Sequence, residues 1–468
     1  MTTFSRRGTL VVVCLATAML MLDIAVVNTA LPHIARDLHS GLSGLQWVVD
    51  AYTLALATIV LTTGSVADRR GRRRVFAAGI AVFTAASLAC ALASSIVMLD
   101  VARAVQGAGA AAMFACSLAL LADAFPAPAD RAKALAAYGA TIGASFALGP
   151  LVGGGLTTGL GWRAVFYINV PIGIAGLVAT YAWVRESRDP NARRLDWPGQ
   201  IALTGGLFLL VLALLRGNHD GWGSTTVIAE VASAVALLGA FVAVEYRSPT
   251  PMLPLGLFRR PQFAGAQIAA FAISASFFAL YLYLTLYLQN ILHMSAIGAG
   301  LAYLPATFVV FAVSGASAGL VEKRSPAKLI GGGLALTAAG MALLVLTEAT
   351  SSWTIILPGM LLAGVGTGLF NPAVSSVALS SVPQDQSGLA AGVNDTARQA
   401  GIALGVAVFG ALVPSAAALG HGSGAAYVNG LHHAIYVAVA VAALGAIASL
   451  RLIGSRRRAA EPALAVEA

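Results

Sequence analysis

Long runs of apolar residues, separated by short polar or charged segments, follow one another along the whole chain. Fourteen of these runs are long enough to cross a bilayer as helices, which takes about 20 residues each. A membrane β-barrel would instead show strands of about 10 residues with alternating apolar and polar positions. The pattern therefore predicts an all-α polytopic membrane protein with fourteen transmembrane helices.

The spacing of the runs predicts six helices, then two more, then a final six. The loop after the second run, Gly64–Arg74, and the loop after the tenth, Ala318–Lys328, both place an acid before a base. This faint repeat is of the kind found in secondary transporters. The predicted domains are an N-terminal six-helix half (1–190), two additional helices with cytoplasmic linkers (191–260), a C-terminal six-helix half (261–455) and a cytoplasmic tail (456–468).

The composition supports a membrane protein and excludes an ordinary soluble enzyme. Hydrophobic residues make up 58% of the chain and charged residues 10%, and the mean hydropathy is +0.84. A soluble domain has about 45–50% apolar and about 25% charged residues. The cysteines Cys14, Cys90 and Cys116 all lie inside apolar runs, so their spacing predicts neither a disulfide framework nor a metal site.

The net charge of +9 would be compatible with nucleic-acid binding, but the positions of the basic residues favour another explanation. Membrane proteins concentrate Lys and Arg in cytoplasmic loops. With the N-terminus inside, the 28 basic residues all fall on the cytoplasmic side except Arg36, Arg163 and Arg216 outside and Arg103 within a helix. We expect a multi-pass protein of the cell membrane, with both termini cytoplasmic and no nucleic-acid partner.

The loop after the second run, GSVADRRGRRR, carries the most specific pattern in the chain. Gly64 permits close approach of a neighbouring helix, and Gly71 permits a tight turn. Asp68 stands at the predicted helix end beside Arg69 and Arg72. The order Gly-x3-Asp-Arg-x-Gly-Arg-Arg resembles the signature loop of the major facilitator superfamily. The alternative is a positively charged topology signal with an incidental acid.

Three further stretches extend this resemblance over nearly the whole chain. LDVARAVQGAGAA (Leu99–Ala111) resembles the family's fourth-span motif, and GASFALGPLVGG (Gly143–Gly154) resembles the fifth-span motif of its exporters. MLDIAVVNTALP (Met21–Pro32) resembles the first-span motif of the fourteen-span drug:proton antiporters. The chain is most similar to resistance exporters of the methylenomycin A type, and more distantly to quaternary-ammonium exporters. Asp395 is a departure, because that branch more often has a neutral residue there.

The resemblance implies two six-helix halves plus two extra helices, and proton-coupled efflux of antibiotics or other amphipathic compounds by alternating access. It also implies that ion pairs among Asp68, Arg72 and Asp123 hold an inner gate. The Gly-Pro segment would bend its helix where the halves meet, although small-residue packing alone would also explain its glycines. The residues expected to act in gating are Gly64, Asp68, Arg69, Gly71, Arg72, Asp123, Gly149, Pro150, Gly153 and Gly154.

Three charged residues, Asp23, Asp50 and Arg103, lie inside the predicted helices of the first half. A charge at the bilayer centre costs roughly 2.5–3.5 kcal/mol on insertion scales, so such residues usually face the bundle interior and have a function. Burial favours the protonated form of a carboxylate, and a nearby cation favours the charged form. We therefore expect these residues to couple transport to protons. A fixed ion pair between Arg103 and one aspartate is the alternative, and which acid carries the proton is open.

Two carboxylates facing one cavity would suit an amphipathic substrate, including a cationic one. Tyr283 and Tyr287 lie one helical turn apart, and Trp47 and Tyr52 flank Asp50. Packing within the bundle or at the bilayer interface is an equally ordinary role for such aromatic and amide side chains. The candidate cavity residues are Asn28, Trp47, Tyr52, Tyr283, Tyr287, Gln289 and Asn371.

The sequence offers little support for chemistry other than transport. It has no Gly-x4-Gly-Lys-Ser/Thr loop for nucleotides and no evident catalytic or metal-binding set, so we predict no enzyme activity, cofactor or metal. An intramembrane enzyme or sensor would need such a set or an appended soluble domain. Export of an endogenous metabolite, lipid or siderophore in the same fold is the principal alternative to drug export, and the residues do not separate the two.

Overall fold

The computed structural model describes residues 3–188, 195–249, 251–317, 319–320, 324–383 and 386–464. Throughout these ranges every regular element is a helix. Thirteen of the helices are long and apolar enough to cross a membrane. The prediction of an all-α polytopic membrane protein is confirmed. Directions are given below in the orientation predicted from the charge distribution.

The long helices follow the predicted order of runs. They are α1 (Thr3–Asp37), α2 (Leu42–Arg70), α3 (Arg72–Ala91), α4 (Ile96–Ala124), α5 (Pro128–Leu160), α6 (Asn169–Trp183), α7 (Trp197–Asp220), α8 (Thr225–Arg247), α9 (Pro261–Ile291), α10 (Ala296–Ser317), α11 (Pro326–Leu343), α12 (Leu357–Ser380), α13 (Ser387–Leu412) and α14 (Gly424–Leu464).

Local signals explain where many of these helices begin and end. The side chains of Ser95, Asp196 and Ser224 accept hydrogen bonds from the first turns of α4, α7 and α8. Pro261 opens α9, where a missing backbone N–H costs nothing. Gly71 separates α2 from α3 with a φ of 112°, a conformation that a residue with a Cβ adopts only under strain.

The thirteenth of the fourteen predicted membrane helices, near 396–414, corresponds to α13, which has 26 residues and is not among the thirteen apolar helices of the described residues. Its length suffices for a membrane span, but Asp395 and Arg398 make it more polar than the others. It begins at Ser387 instead of near 396, where the apolar run starts. Arg398, which the charge distribution had assigned to the cytoplasmic side, therefore lies inside a helix, and that assignment is corrected.

The helices pack as two bundles with the same pairing pattern. In the first, α4 packs on α2 and α3, α5 packs on α1, and α6 packs on α1 and α3. In the second, α12 packs on α10 and α11, α13 packs on α9, and α14 packs on α9 and α11. The bundles meet where α5 packs on α10 and α2 packs on α13. This repetition has the two-half architecture of secondary transporters. The predicted boundary at 190, and Glu322 and Lys323 of the second repeat loop, lie outside the described residues.

The two extra helices, α7 and α8, form a hairpin beside the bundles. α7 contacts both α2 and α13 and therefore touches both halves. Its Gln200 is hydrogen-bonded to Thr62 of α2. Arg216 of α7 pairs with Glu230 of α8 at 2.5 Å. α8 presents apolar side chains outward, with Val235 63% exposed, as expected of a helix that faces lipid.

α9 is not a regular α-helix along its whole length. Two π-helical turns, Ser274–Phe278 and Tyr287–Ile291, flank the α-helical segment Ala279–Leu286. A π turn inserts extra residues into a helix and changes which side chains face a given neighbour, and it often occurs at functional sites. The first of these turns ends where α9 meets the space between the two bundles.

Candidate functional site

Asp23 of α1 is held by a saturated set of polar contacts. It is 1% exposed, and its Oδ2 atom lies 2.5 Å from Nη1 of Arg103 on α4. Its Oδ1 atom accepts hydrogen bonds from Gln106 Nε2 at 2.9 Å and from Asn169 Nδ2 at 2.8 Å. Gln106 and Asn169 also donate to Ser87. Asp23 and Arg103 thus form a buried ion pair.

Arg103 contacts α1, α2 and the segment before α6, and it also contacts Gln106 on its own helix, α4. Its Nε atom donates to the carbonyl of Val48 on α2 at 3.0 Å, and Nη1 also donates to Gln106 at 2.7 Å. The guanidinium group lies 4.2 Å from the centre of the Tyr52 ring and 5.9 Å from that of Phe166. A guanidinium group can make several such contacts at once because it is planar and carries five donors. The Arg103 side chain therefore ties α1, α2 and α4 together.

Asp50 of α2 is in the opposite situation. It is 0% exposed, and neither carboxylate oxygen has a hydrogen-bond partner among the described residues. Asp50 lies four residues after Gln46 and therefore on the same face of α2, and Gln46 contacts Tyr283 of α9. A buried, unpaired carboxylate is costly when charged and much less so when it carries a proton.

A small cavity of about 40 Å³ lies between the two bundles. α1, α2 and α5 line it on one side, and α9 and α13 line it on the other. A drug-sized ligand needs roughly 300–1,000 Å³, so the halves are closed around this space. The lining residues are Ile24, Ala25, Asn28, Val49, Thr53, Phe146, Pro150, Phe278, Tyr281, Leu282, Ile402 and Val406.

Aromatic rings form much of the wall of this cavity. Phe146 of α5 meets Phe278 of α9 edge to face, with ring centres 5.3 Å apart. Behind Phe278, Phe277 contacts Tyr281 at 6.0 Å, and Tyr281 stacks on Tyr303 of α10 at 4.4 Å. Because Phe146 and Phe278 belong to different halves, any rocking of the halves changes the spacing between these two rings.

Of the seven residues predicted to line the substrate cavity, Asn28 does so in this structure. Tyr283 instead donates its hydroxyl to the carbonyl of Val406 at 2.5 Å, and Tyr287 donates to the carbonyl of Glu348 at 2.7 Å. Phe278 and Tyr281 line the cavity in their place. The π turn at Ser274–Phe278 changes the register of α9, which the one-turn spacing of the tyrosines could not reveal.

The other four predicted cavity residues make contacts between helices. Trp47 packs on Phe208 of α7 at 5.5 Å, and Tyr52 lies under the guanidinium group of Arg103. Gln289 donates to the carbonyl of Thr29 at 2.8 Å, and Asn371 accepts from Arg398 at 3.2 Å.

A second polar cluster surrounds Arg398 on α13. Arg398 donates to Asn394 at 3.3 Å as well as to Asn371, and Asn394 donates to Gln267 of α9 at 3.1 Å. Asp395 is 6% exposed, and its Oδ2 atom has no hydrogen-bond partner in the part of the chain that the structure describes. The sequence flagged Asp395 as unusual but did not indicate this cluster, because its members come from three separate helices.

Hydrogen bonds join the two halves near the predicted outer ends of α1, α2 and α9 and nearer the middle of α5 and α10. Gln46 of α2 donates to the Tyr283 hydroxyl at 3.0 Å and to the Val406 carbonyl at 3.0 Å. Gln289 of α9 reaches Thr29 of α1. Thr307 of α10 donates to the Ala147 carbonyl of α5 at 3.0 Å. These contacts close the outer side of the central space.

The glycines of the Gly-Pro segment lie at two close helix contacts. A Cβ atom on Gly153 would lie 2.8 Å from the Val26 carbonyl oxygen, within the first half. A Cβ atom on Gly154 would lie 2.6 Å from the carbonyl oxygen of Ala296, in the other half. Gly149 packs against Ala25 in the same way, and the Pro150 carbonyl faces Gly300. The segment thus brings α5 close to both α1 and α10.

Replacing Gly154 with valine is expected to slow transport by about tenfold or more. Overpacking typically costs about 1–3 kcal/mol, and here it would destabilise the conformation in which the outer side of the central space is closed. Gly155→Val is the matched control, since a Cβ on Gly155 meets nothing within 4 Å. Transport rates of both variants at equal membrane abundance test this. Equal rates for Gly154→Val and Gly155→Val would show that closure at this contact does not limit turnover.

In the loop between α2 and α3, Asp68 pairs with Arg72 at 2.8 Å. Glu186, after α6, accepts a hydrogen bond from the Arg73 backbone N–H at 3.0 Å and lies against Gly71. Asp123 is exposed, and no ion pair joins it to Arg72 within the described ranges. Arg69 is also exposed.

Gly64, expected at a close helix contact, has room for a Cβ atom. The nearest neighbour of that atom would be Ala115 Cβ, at 3.9 Å. This separation is an ordinary van der Waals contact, so no close approach occurs at Gly64 in this conformation.

Asp68→Asn is expected to lower the turnover rate several-fold while leaving equilibrium substrate binding nearly unchanged. The substitution removes the charge that pairs with Arg72, and this loop lies far along α2 from the central cavity. Binding to purified protein and initial transport rates separate the two effects. An unchanged transport rate would indicate that the loop acts as a topology signal alone.

Comparison with known proteins agrees with this architecture. The family model of the Major Facilitator Superfamily matches residues 13–406. A bacterial homologue of the human lysosomal transporter Spinster, solved in an inward-facing, unoccupied conformation, superimposes with a TM-score of 0.69 over 97% of this chain and 98% of that chain, at 17% identity. That likeness concerns the fold.

Curated relatives cover most of the chain. The puromycin resistance protein pur8 of Streptomyces alboniger is 39% identical over 97% of this chain and 92% of its own length. The methylenomycin A resistance protein of Streptomyces coelicolor is 32% identical over 96% and 93%. The multidrug resistance protein Stp of Mycobacterium tuberculosis is 37% identical over 86% and 75%. The chain belongs to the major facilitator superfamily and is a membrane transporter, not an enzyme.

Proposed function

We propose that this protein exports antibiotics or other amphipathic small molecules in exchange for protons, by alternating access. The resistance proteins of Streptomyces and Mycobacterium that it resembles support an export role. An inward proton brings about 2.3 kcal/mol per 100 mV of membrane potential, in addition to the contribution of the pH difference.

The observation that carries the proton assignment is the contrast between Asp23 and Asp50, the buried aspartates of α1 and α2. Asp23 has a cation and two amide donors, so it is stable with its charge. Asp50 has no partner for either oxygen among the described residues, so a bound proton stabilises it and loss of that proton destabilises its surroundings. We assign the proton to Asp50, and we assign Asp23 and Arg103 to holding α1, α2 and α4 in position. To Asp100, half-buried near the predicted outer end of α4, we assign the entry of protons from outside.

In the proposed cycle, residues 1–190 and 261–455 rock against each other in the cell membrane, with both termini cytoplasmic. The segment 191–260 stays beside them as a support, since α7 contacts both halves. The cavity must enlarge from about 40 Å³ to admit a substrate, which requires Phe146 and Phe278 to separate. In the next step the contacts of Gly154, Gly300 and Gln289 would break, which would open the outer side of the cavity.

Efflux from cells that express the protein tests this function. Cells loaded with a panel of dyes and antibiotics are followed with and without a protonophore. The proposal predicts export that stops when the proton gradient is removed. Export that continues without a gradient would contradict proton coupling. The absence of export for every compound, with the protein shown to be in the membrane, would favour a narrow endogenous substrate.

A further inference from the structure

The side chains that line the central cavity carry no charge at neutral pH. The aromatic members are Phe146, Phe278 and Tyr281, and the polar members, Asn28 and Thr53, are neutral. The Asn28 amide donates to the carbonyl of Ile24 at 3.1 Å, and the Thr53 hydroxyl donates to backbone carbonyls of its own helix. A cation in this space would lose its hydration and gain no counter-charge, which is strongly unfavourable.

The buried acids of the first half belong to different helix faces from the cavity. On α2, Val49 and Thr53 line the cavity, and residues four apart share one helix face. Asp50 is one residue from Val49, so it is rotated by about 100° around the axis, given 3.6 residues per turn. It lies instead on the face of Gln46, four residues earlier, which contacts Tyr283 of α9, and it is not among the residues that line the cavity.

The same separation occurs on α1. Ile24 and Asn28 line the cavity, whereas the neighbouring Asp23 is turned towards Arg103 on α4. Each helix thus presents neutral side chains to the cavity, and neither Asp23 nor Asp50 is among the residues that line it.

We propose that the cavity binds flat, uncharged aromatic compounds, held between the Phe146 ring of one half and Phe278 and Tyr281 of the other. This proposal rests on the proposed export function and adds the class of substrate. Aromatic rings attract other rings in offset or edge-to-face arrangements, and the present edge-to-face contact of Phe146 with Phe278 is what an inserted ring would replace. Protons and substrate are then coupled through movement of α2, which carries Asp50 on one face and Val49 and Thr53 on another.

A matched pair of dyes tests this proposal. Nile red is neutral, and Nile blue has the same ring system with a positive charge. Binding of each dye to purified protein in lipid nanodiscs is measured by fluorescence anisotropy, with empty nanodiscs as the blank. Phe278→Leu removes the ring but keeps apolar bulk, and Phe308→Ala is the control because Phe308 is 64% exposed on α10. Thermal unfolding of each variant confirms that it is folded.

The proposal predicts that Nile red binds at least about tenfold more tightly than Nile blue, and that Phe278→Leu weakens Nile red binding about tenfold. Phe308→Ala should leave the affinity for Nile red within about twofold. Equal or tighter binding of Nile blue, no effect of Phe278→Leu, or no binding of either dye would overturn the proposal. These binding measurements use no proton gradient. They can therefore contradict the proposed substrate class while proton-driven export is observed, and they can support that class while proton-driven export is not observed.

Discussion

Asp50→Asn is expected to abolish uphill transport while leaving downhill movement of substrate intact. Asparagine has nearly the volume of aspartate but cannot exchange a proton, so the two halves lose the event that drives them. A pH difference of about one unit supplies about 1.4 kcal/mol per proton, which sustains about tenfold accumulation. The expected accumulation ratio for the variant is therefore about 1 under the same gradient. Proteoliposomes with an imposed pH difference provide the measurement.

Asp130→Asn is the matched control for this variant. Asp130 is an exposed acid in the first turn of α5, away from the buried polar groups, and it should keep full accumulation. Accumulation by Asp50→Asn equal to that of the unmodified protein would remove Asp50 from the coupling mechanism. Asp395, another buried acid with an oxygen that lacks a hydrogen-bond partner among the described residues, would then be the next candidate.

Arg103→Ala is expected to cause the largest loss of stability of any single substitution considered, about 3–5 kcal/mol. The reason is that Asp23 would remain buried with its charge uncompensated and α1, α2 and α4 would lose a shared contact. Asp23→Asn in the same chain should recover part of the loss, because the neutral amide no longer needs a cation. Thermal unfolding of purified protein, with single and double variants compared, measures the recovery.

The exposed ion pair of Arg163 with Asp37 is the control for this prediction. Its side chains are 40% and 46% exposed, and such pairs contribute about 0–1 kcal/mol. Arg163→Ala should therefore shift the unfolding temperature far less than Arg103→Ala. Equal shifts, or no recovery in the double variant, would mean that the Asp23–Arg103 contact is not a principal support of the first half.

Features that depend on local sequence were predictable. Hydropathy identified the helices because a membrane span needs only length and apolarity. The Asp68–Arg72 pair was implied by the resemblance of this loop to the family's signature, and it forms although Gly71 intervenes and ends α2. Asn28 was found because an amide inside an apolar run stands out.

Features that depend on how helices rotate against each other were not predictable. Three charged residues were identified, but Gln106 and Asn169, which saturate Asp23, lie on other helices and carried no signal of their own. Because of the π turn Ser274–Phe278 in α9, Tyr281 lines the cavity wall where Tyr283 was predicted. The spacing of Ile24 and Asn28 on α1, and of Val49 and Thr53 on α2, was the available signal that one face of each helix lines the cavity while the acids face elsewhere.

Proton movement driven by substrate is the most direct test of the central claim, that export is coupled to protons through Asp50. Proteoliposomes containing a pH-sensitive dye receive a substrate gradient with no initial pH difference. We predict that the unmodified protein moves protons opposite to the substrate, and that Asp50→Asn moves substrate down its gradient without protons. Substrate movement by the unmodified protein with no accompanying proton movement would contradict the account.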